Sequence, residues 1–187
     1  MRKNFGSKPM TYPQPVFIVA AYDRDGNPNA MNAAWGGIAE SDRITMCLAA
    51  GHKTVKNILE TGAFTVSMAD SKHVVECDYL GVVSGNKVPD KLQKIGFTTY
   101  KSELVNAPII EQLPMALECK LISFDKETDC LIGEIINVCA DECILDDACN
   151  IDYKKLDPIT FDPMYHTYIT LGERVGKAFS DGKRIEG

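Results

Sequence analysis

The sequence predicts a mainly β fold with flanking helices, arranged as an antiparallel β-barrel rather than as a parallel, doubly wound sheet. Strand-like segments follow one another with few long helices between them, which is typical of antiparallel architectures. No G-x-G-x-x-G string follows a predicted strand, which argues against a built-in Rossmann nucleotide site. Since no repeat, linker or composition break interrupts the 187 residues, we expect one domain spanning residues 1–187.

The first half of the chain predicts an extended arm, a hairpin, a buried strand and a helix. Prolines in and just after residues 1–14 hold this N-terminal arm extended. Residues 16–22 (V-F-I-V-A-A-Y) form a continuous apolar run, and the turn signal D-R-D-G-N-P after it makes the stretch from Asn29 the second strand of a hairpin. Residues 43–49 suit a buried strand, and a helix with apolar residues at i, i+3 and i+4 follows and ends at Gly62.

The second half adds strands with short helical connections. Ala63–Met68 alternates like a strand, and Asp70 or Ser71 is expected to cap a helix that runs to about Val83. That helix is expected to place on one face Val75, Tyr79 and Val83. The remaining predicted elements are a short helix at residues 91–95 and two long strands, 117–125 and 130–140, joined by a turn. An acidic, proline-bearing segment that packs over the fold, 141–163, and a last strand, 165–171, follow.

Composition and charge restrict the class of protein and its partners. Apolar residues make up 45% and charged residues 25% of the chain, as in ordinary soluble globular proteins. The net charge of −6 argues against a nucleic-acid partner, because neutralising phosphates needs a basic face. The start lacks the apolar run of a signal peptide, and the longest apolar runs are too short to cross a membrane. The odd number of cysteines, seven, favours reduced thiols, so we expect a cytoplasmic protein without membrane association.

The stretch between residues 29 and 57 indicates a ligand site. Its first part, N-A-M-N-A-A-W-G-G, surrounds two amides and the only tryptophan with small residues, which lets a flat ligand lie close to the backbone. Further on, Lys53 and Thr54 stand where a helix begins, and free N–H groups, the helix dipole and a lysine charge suit an anion there. The alternative is that Thr54 only caps the helix and Trp35 only fills the core.

Five segments together resemble the flavin reductase-like, FMN-binding split-barrel family, and its flavoredoxin-type members in particular. The likeness spans nearly the whole chain in the expected order and is carried by residues 29–37, 52–58, 62–68, 84–91 and 165–183. The resemblance implies a split antiparallel β-barrel that forms a homodimer with FMN at the subunit interface. It does not by itself fix the reaction.

The resemblance also assigns roles to individual residues. Lys53 and Thr54 match the residues that hold the FMN phosphate, and Asn57, one helical turn on, either reaches the same ligand or belongs to a polar helix surface. The candidates for the flavin ring are the side chains of Asn29, Asn32 and Trp35 and the backbone of Ala30, Met31 and Ala33. In a strand the two amides fall on opposite faces, so both contact one ring only if the strand bends or ends there.

Two lysines in S-G-N-K-V-P-D-K resemble the family's basic loop near the flavin. A cation from Lys87 or Lys91 beside N1 and O2 of the ring would stabilise the anionic reduced form. The alternative is that both lysines lie in a solvated loop.

The expected function is redox chemistry, carried by the flavin rather than by a catalytic side chain. The protein is either an enzyme that accepts hydride from NADH or NADPH, or a flavoredoxin-like carrier that exchanges electrons with a donor or acceptor protein. A flavin-binding or storage protein without activity is the first alternative. A cysteine-based metal or redox protein is the second, because His73 and Cys77 share a helix face, although they lack further ligands at metal-site spacing. Three later cysteines follow no zinc or iron–sulfur spacing: Cys139, Cys143 and Cys149. We expect them to pack in the core, and the alternative is that one of them is an oxidation-sensitive thiol.

Overall fold

Twelve strands, four α-helices and three 3₁₀ turns make up residues 1–185, the part of the chain that the computed structural model describes. The strands are β1 (Gln14–Pro15), β2 (Phe17–Tyr22), β3 (Pro28–Ala33), β4 (Gly36–Glu40), β5 (Arg43–Cys47), β6 (Ala63–Met68), β7 (Thr99–Lys101), β8 (Pro108–Ile110), β9 (Met115–Asp125), β10 (Cys130–Ala140), β11 (Ile159–Asp162) and β12 (Thr167–Thr170). The helices are α1 (Lys53–Thr61), α2 (Val74–Val82), α3 (Lys91–Lys94) and α4 (Tyr153–Leu156), and the 3₁₀ turns are Ser71–His73, Glu142–Ile144 and Asp181–Ile185.

Seven antiparallel strands form one curled sheet in the order β3-β2-β6-β9-β10-β5-β4. A three-stranded sheet, β1-β11-β12, and the β7-β8 hairpin add to it. The predicted mainly β fold of the split-barrel type is therefore confirmed. Two consequences of the strand order matter for the site: β3 and β4 are the edges of the main sheet, and β2 lies inside it.

Strand β2 is buried on both faces, which explains its continuous apolar sequence. Val19 belongs to a core cluster with Phe64 and Leu131, whereas Ile18 packs in a second cluster with Leu80 on the other face of the sheet. A strand covered on both sides gains from apolar residues at every position, so it loses the alternation of a half-exposed strand. The hairpin predicted from residues 16–22 onward is confirmed, with β2 and β3 in register.

Helix α1 begins and ends where the sequence predicts. Gly62 adopts a left-handed conformation with φ of 72°, and its N–H donates to the Ile58 carbonyl at 2.8 Å. This conformation favours glycine, which is why the helix stops there. Val55 and Ile58 are fully buried against the sheet, but Leu59, expected on the same face, is largely exposed.

Helix α2 is capped as expected but turns a different face to the core. The Asp70 carboxylate accepts the N–H groups of Lys72 and His73 at 3.1 and 2.9 Å, which starts a 3₁₀ turn before α2. The expected face is wrong, because Val75 is exposed and the buried residues of α2 are Cys77 and Leu80, at i and i+3.

The second half of the chain follows the prediction closely. In the long hairpin, β10 has the predicted bounds, and β9 begins two residues earlier than predicted. The predicted short helix and last strand correspond to α3 and β12. The acidic segment 141–163 holds a 3₁₀ turn, α4 and β11. No helix within residues 1–185 is long and apolar enough to cross a membrane.

Candidate functional site

A cavity of about 140 Å³ lies where the edge strand β3, the first turn of α1 and the C-terminal end of α2 meet. Its polar lining combines two asparagines from β3, the start of α1 and one lysine from α3. Among the described residues that border it, Lys53 and Lys91 carry positive charge and none carries a carboxylate. The cavity therefore favours an anionic ligand although the whole chain is acidic.

Asn29 contributes a buried amide to the wall of this cavity. Its Nδ2 donates to Thr54 Oγ1 at 2.6 Å, whereas its buried Oδ1 has no hydrogen-bond partner within the described chain. A methyl group at Gly85 would lie 2.1 Å from that oxygen, so any side chain at this position would clash with the Asn29 amide. A buried acceptor without a partner costs about 1–3 kcal/mol, which a ligand hydroxyl or N–H would offset.

The first turn of α1 supplies donors without a side-chain cap. His52 at the N-cap position makes no capping hydrogen bond, and the hydroxyl of the buried Thr54 faces Asn29 instead of capping the helix. The alternative that Thr54 only caps α1 is therefore wrong. Lys53 stands at the rim, partly exposed, with Nζ 3.6 Å from Asp23 Oδ2. This end of the cavity has uncapped backbone N–H groups, a helix dipole and a partly exposed cation, the combination that binds phosphate at helix starts.

Lys91 is a buried cation rather than a solvated one. Its side chain is 2% exposed, and Nζ donates to the carbonyls of Leu80 at 3.0 Å and Val83 at 2.9 Å, at the C-terminal end of α2. The negative end of the helix dipole favours a cation at this place. Burial nevertheless lowers the pKa of Lys91 to about 8. An ammonium has three N–H donors, so one remains for a ligand in the cavity that Lys91 borders.

Asn32 borders the same cavity from the opposite face of β3. Its Nδ2 donates to the Cys77 carbonyl of α2 at 3.1 Å, and a methyl group at Gly81 would lie 3.1 Å from its Cβ. Since β3 is an edge strand, the cavity lies along its free side and reaches residues of both faces. This arrangement brings Asn29 and Asn32 together without the strand bend or end that the sequence seemed to require.

The structure does not bring three predicted residues to this cavity. Trp35 is 55% exposed and borders a separate groove, so it neither fills the core nor joins Lys53. Asn57 is fully buried and donates to the Ala21 carbonyl at 3.3 Å, because α1 packs on β2 through this face. Lys87 is exposed in the loop before α3, as in the alternative of a solvated lysine.

The backbone candidates of β3 divide between the cavity and the two cores. Met31 borders the cavity, whereas the side chains of Ala30 and Ala33 pack in the two hydrophobic clusters on either side of the sheet. Their small size fits close packing at these points, and contacts of their backbone with a ligand stay a prediction.

Cysteine chemistry at His73 and Cys77 does not fit the structure. The ring Nδ1 of His73 lies 2.8 Å from the Asp70 carboxylate, and burial and then the Asp70 charge raise the pKa of the Cys77 thiol to about 12. Within residues 1–185 no group of three or more histidine, cysteine or acidic residues is placed to hold a metal ion. The expected packing role is wrong for two further cysteines, because Cys143 and Cys149 are exposed.

Sequence reasoning missed the residues that shape the cavity. Gly85 and Gly81 matter because side chains there would collide with Asn29 and Asn32. The first lies in the predicted lysine loop, where a glycine was a visible signal for close approach. The carbonyls that hold Lys91 carry no signal in the sequence, since every residue has one.

Comparison with known proteins places this architecture in a family. The model of the flavin reductase like domain matches residues 10–159. The solved structure of flavoredoxin of Desulfovibrio vulgaris (Miyazaki F) is 42% identical, with a TM-score of 0.93, and the match covers 98% of this chain and 100% of that chain. For flavoredoxin from Methanosarcina acetivorans the identity is 29% and the TM-score 0.89, over 99% of this chain and 100% of that chain.

A more distant relative shares the fold. Nitrilotriacetate monooxygenase component B from Bacillus cereus is 20% identical, with a TM-score of 0.75, over 95% of this chain and 100% of that chain. The family model covers most of the chain, and the match to the Desulfovibrio structure extends over nearly all of it. The chain therefore belongs to the flavin reductase-like family.

Proposed function

We propose that this protein binds FMN and serves as an electron carrier of the flavoredoxin type. The observation that carries the proposal is the pairing of an uncapped helix start, beside Lys53, with the unpartnered Asn29 Oδ1 in one cavity. The choice of carrier is supported by the 42% identity to a flavoredoxin over nearly the whole chain, since relatives described as reductases or monooxygenase components are only about half as similar.

The donor set suits the phosphate and the sugar-alcohol chain of FMN. Lys53 and the first N–H groups of α1 would hold the phosphate, because charged hydrogen bonds to phosphate are stronger than neutral ones. The free Oδ1 of Asn29 accepts, so it suits a hydroxyl of the ribityl chain, which donates. Riboflavin, which lacks the phosphate, would lose the first of these contacts.

The flavin ring must extend beyond this cavity. Pockets that enclose drug-sized ligands have volumes of about 300–1,000 Å³, whereas this one has about 140 Å³. We propose that a second copy of the chain completes the site and that the protein is a homodimer. Exposed apolar side chains on the long hairpin support a subunit contact: Ile122, Ile136 and Val138.

Lys91 would tune the bound group. Flavin supplies hydride and single-electron transfer when bound. The buried ammonium of Lys91 sets a positive charge at the cavity wall, which favours the more negative, reduced state of a ligand next to it. The protein contributes binding, orientation and this charge, and no side chain has to react.

The visible spectrum of the purified protein tests the proposal. We expect flavin absorption bands that persist after anaerobic addition of NADH or NADPH and bleach with dithionite or a reduced protein donor. Preparations without flavin bands that also take up no added FMN would contradict the flavin site.

An NADH- or NADPH-dependent flavin reductase is the second candidate. It is supported by the family model, which describes a flavin reductase like domain over residues 10–159. In the same experiment the flavin bands of a reductase bleach within its turnover time when either NADH or NADPH is added. A reductase also reduces excess free FMN over many turnovers. Rapid bleaching would therefore replace the carrier by the reductase while leaving the flavin site intact.

The oligomeric state has its own test. Light scattering of the flavin-loaded protein should give the mass of two chains, with two equivalent flavins per dimer. A stable monomer that holds FMN at full occupancy would refute the shared site.

A further inference from the structure

Two cysteines stand directly opposite each other on neighbouring strands and border a groove other than the cavity. Cys47 of β5 is the register partner of Cys130 of β10, and both thiols are free. Side chains of directly opposed residues in an antiparallel pair point to the same face. Both cysteines accordingly border one groove of about 380 Å³ together with Trp35.

The hydrogen-bond pattern fixes the type of this pair. The N–H of Leu48 donates to the carbonyl of Asp129 at 2.8 Å, so the neighbouring pair of Cys47 and Cys130 is a non-hydrogen-bonded one. In such pairs the Cα atoms are about 4.5 Å apart and the side chains are closer than in hydrogen-bonded pairs. Disulfides span Cα separations of about 4.4–6.8 Å, so a pair of this type lies within bridging distance.

The two thiols differ in access. Cys47 is exposed, and the only hydrogen-bond contact of its thiol within residues 1–185 is a weak one to the Thr128 carbonyl at 3.9 Å. Cys130 is half-buried, with its Sγ 3.4 Å from Thr45 Oγ1. A reagent in the groove therefore meets Cys47 first, and Cys130 borders the same groove.

We propose that Cys47 and Cys130 form a second redox site, a reversible dithiol–disulfide pair that exchanges with low-molecular-weight disulfides. The Cys47 thiolate attacks one sulfur of the small disulfide, and the first small thiol leaves as a thiolate that takes up a proton. The Cys130 thiolate attacks Cys47 in the resulting mixed disulfide and displaces the second small thiol. Two protein thiols lose two electrons and two protons, and one small disulfide becomes two thiols.

Exposure of Cys47 gives this pair the character of a reversible site. Strained or exposed disulfides are more easily reduced than the relaxed disulfides that stabilise secreted proteins. A disulfide between the two cysteines would link β5 and β10, which backbone hydrogen bonds already join in one continuous sheet. Oxidation of the pair therefore changes the two thiols at the groove and leaves the strand pairing as it is.

Trp35 provides a built-in reporter. The N–H of Cys47 donates to the Trp35 carbonyl at 2.8 Å. Trp35 is therefore the neighbour of Cys47 across β5 from Cys130. Trp35 is also the only tryptophan of the chain. A disulfide forming at Cys47 should therefore change the whole of the protein's tryptophan emission.

The experiment titrates the purified, flavin-loaded protein with buffers of reduced and oxidised glutathione. We expect one reversible transition in tryptophan emission, lost in Cys47→Ser and unchanged in the control Cys143→Ser, which alters another exposed cysteine. Cys130→Ser should instead accumulate a mixed disulfide of glutathione on Cys47, since the resolving thiol is missing.

Peptide mapping of the oxidised wild-type protein gives a readout that needs no variant. Cleavage after basic residues and after glutamate releases Cys47 in residues 44–53 and Cys130 in residues 128–134, each as the only cysteine of its peptide. Under non-reducing conditions these two peptides should be found linked. Separate peptides after full oxidation, or an emission transition that persists in Cys47→Ser, would overturn the proposal.

Discussion

Replacing Lys53 by alanine is the sharpest test of the phosphate end of the site. Lys53 Nζ lies 3.6 Å from Asp23 and at the rim of the cavity, and its side chain is 31% exposed. Two unit charges about 4 Å apart interact by about 4 kcal/mol at an effective dielectric of 20, and exposure to solvent reduces this. A charged hydrogen bond contributes about 1.5–3 kcal/mol net. At 1.4 kcal/mol per factor of ten, FMN affinity should fall by about 10- to 150-fold.

The assay compares FMN with riboflavin by fluorescence titration of the flavin-free protein. Riboflavin affinity should change little in Lys53→Ala, because the missing contact is to the phosphate. Lys56→Ala is the matched control, since Lys56 lies on the same helix but its Nζ contacts Asn86 outside the cavity. Equal losses for FMN and riboflavin, or an equal loss in the control, would refute the assignment of Lys53 to the phosphate.

Three further predictions concern the cavity wall. Gly85→Ala places a methyl group 2.1 Å from Asn29 Oδ1, so in thermal unfolding the free energy of unfolding should fall by about 1–3 kcal/mol, and FMN binding should weaken. In the control Gly37→Ala the added methyl group meets nothing within 4 Å, so neither quantity should change. Burial lowers the pKa of Lys91 from 10.5 to about 8, so between these two pH values the unfolded chain binds a proton that the folded chain lacks. The free energy of unfolding of the flavin-free wild type, minus that of Lys91→Met, should therefore rise with pH by up to about 1.4 kcal/mol per unit. A difference that does not change with pH would contradict the shift. In spectroelectrochemical titrations Lys91→Met should lower the flavin midpoint by a few tens of millivolts (about 30 mV corresponds to 1.4 kcal/mol), whereas Lys87→Met should leave it unchanged; the reverse result would place Lys87, not Lys91, beside the ring.

Local features of the site could be predicted from the sequence, because their causes are local. The start of α1 and its stop at Gly62 depend on residues within one or two turns, so the donors around Lys53 and Thr54 lie where expected. The same holds for the turn between β2 and β3, which a short Asp–Gly–Asn sequence determines.

Features that depend on strand order could not be predicted in this way. Asn29 and Asn32 border one cavity because β3 is an edge strand, and the edge is set by pairings between distant segments. Trp35 faces another groove because register places it beside Cys47, not because of its own neighbours in sequence. Asn57 lies on the face of α1 that packs on the sheet, although its polarity suggested the opposite.

A crystal structure of the protein with FMN tests the central claim most directly. We predict two chains with the phosphate at the first turn of α1 beside Lys53, and a ribityl hydroxyl donating to Asn29 Oδ1. The flavin ring should then leave the cavity towards the second chain. A phosphate bound elsewhere, with Asn29 Oδ1 still without a partner, would contradict this account of the site.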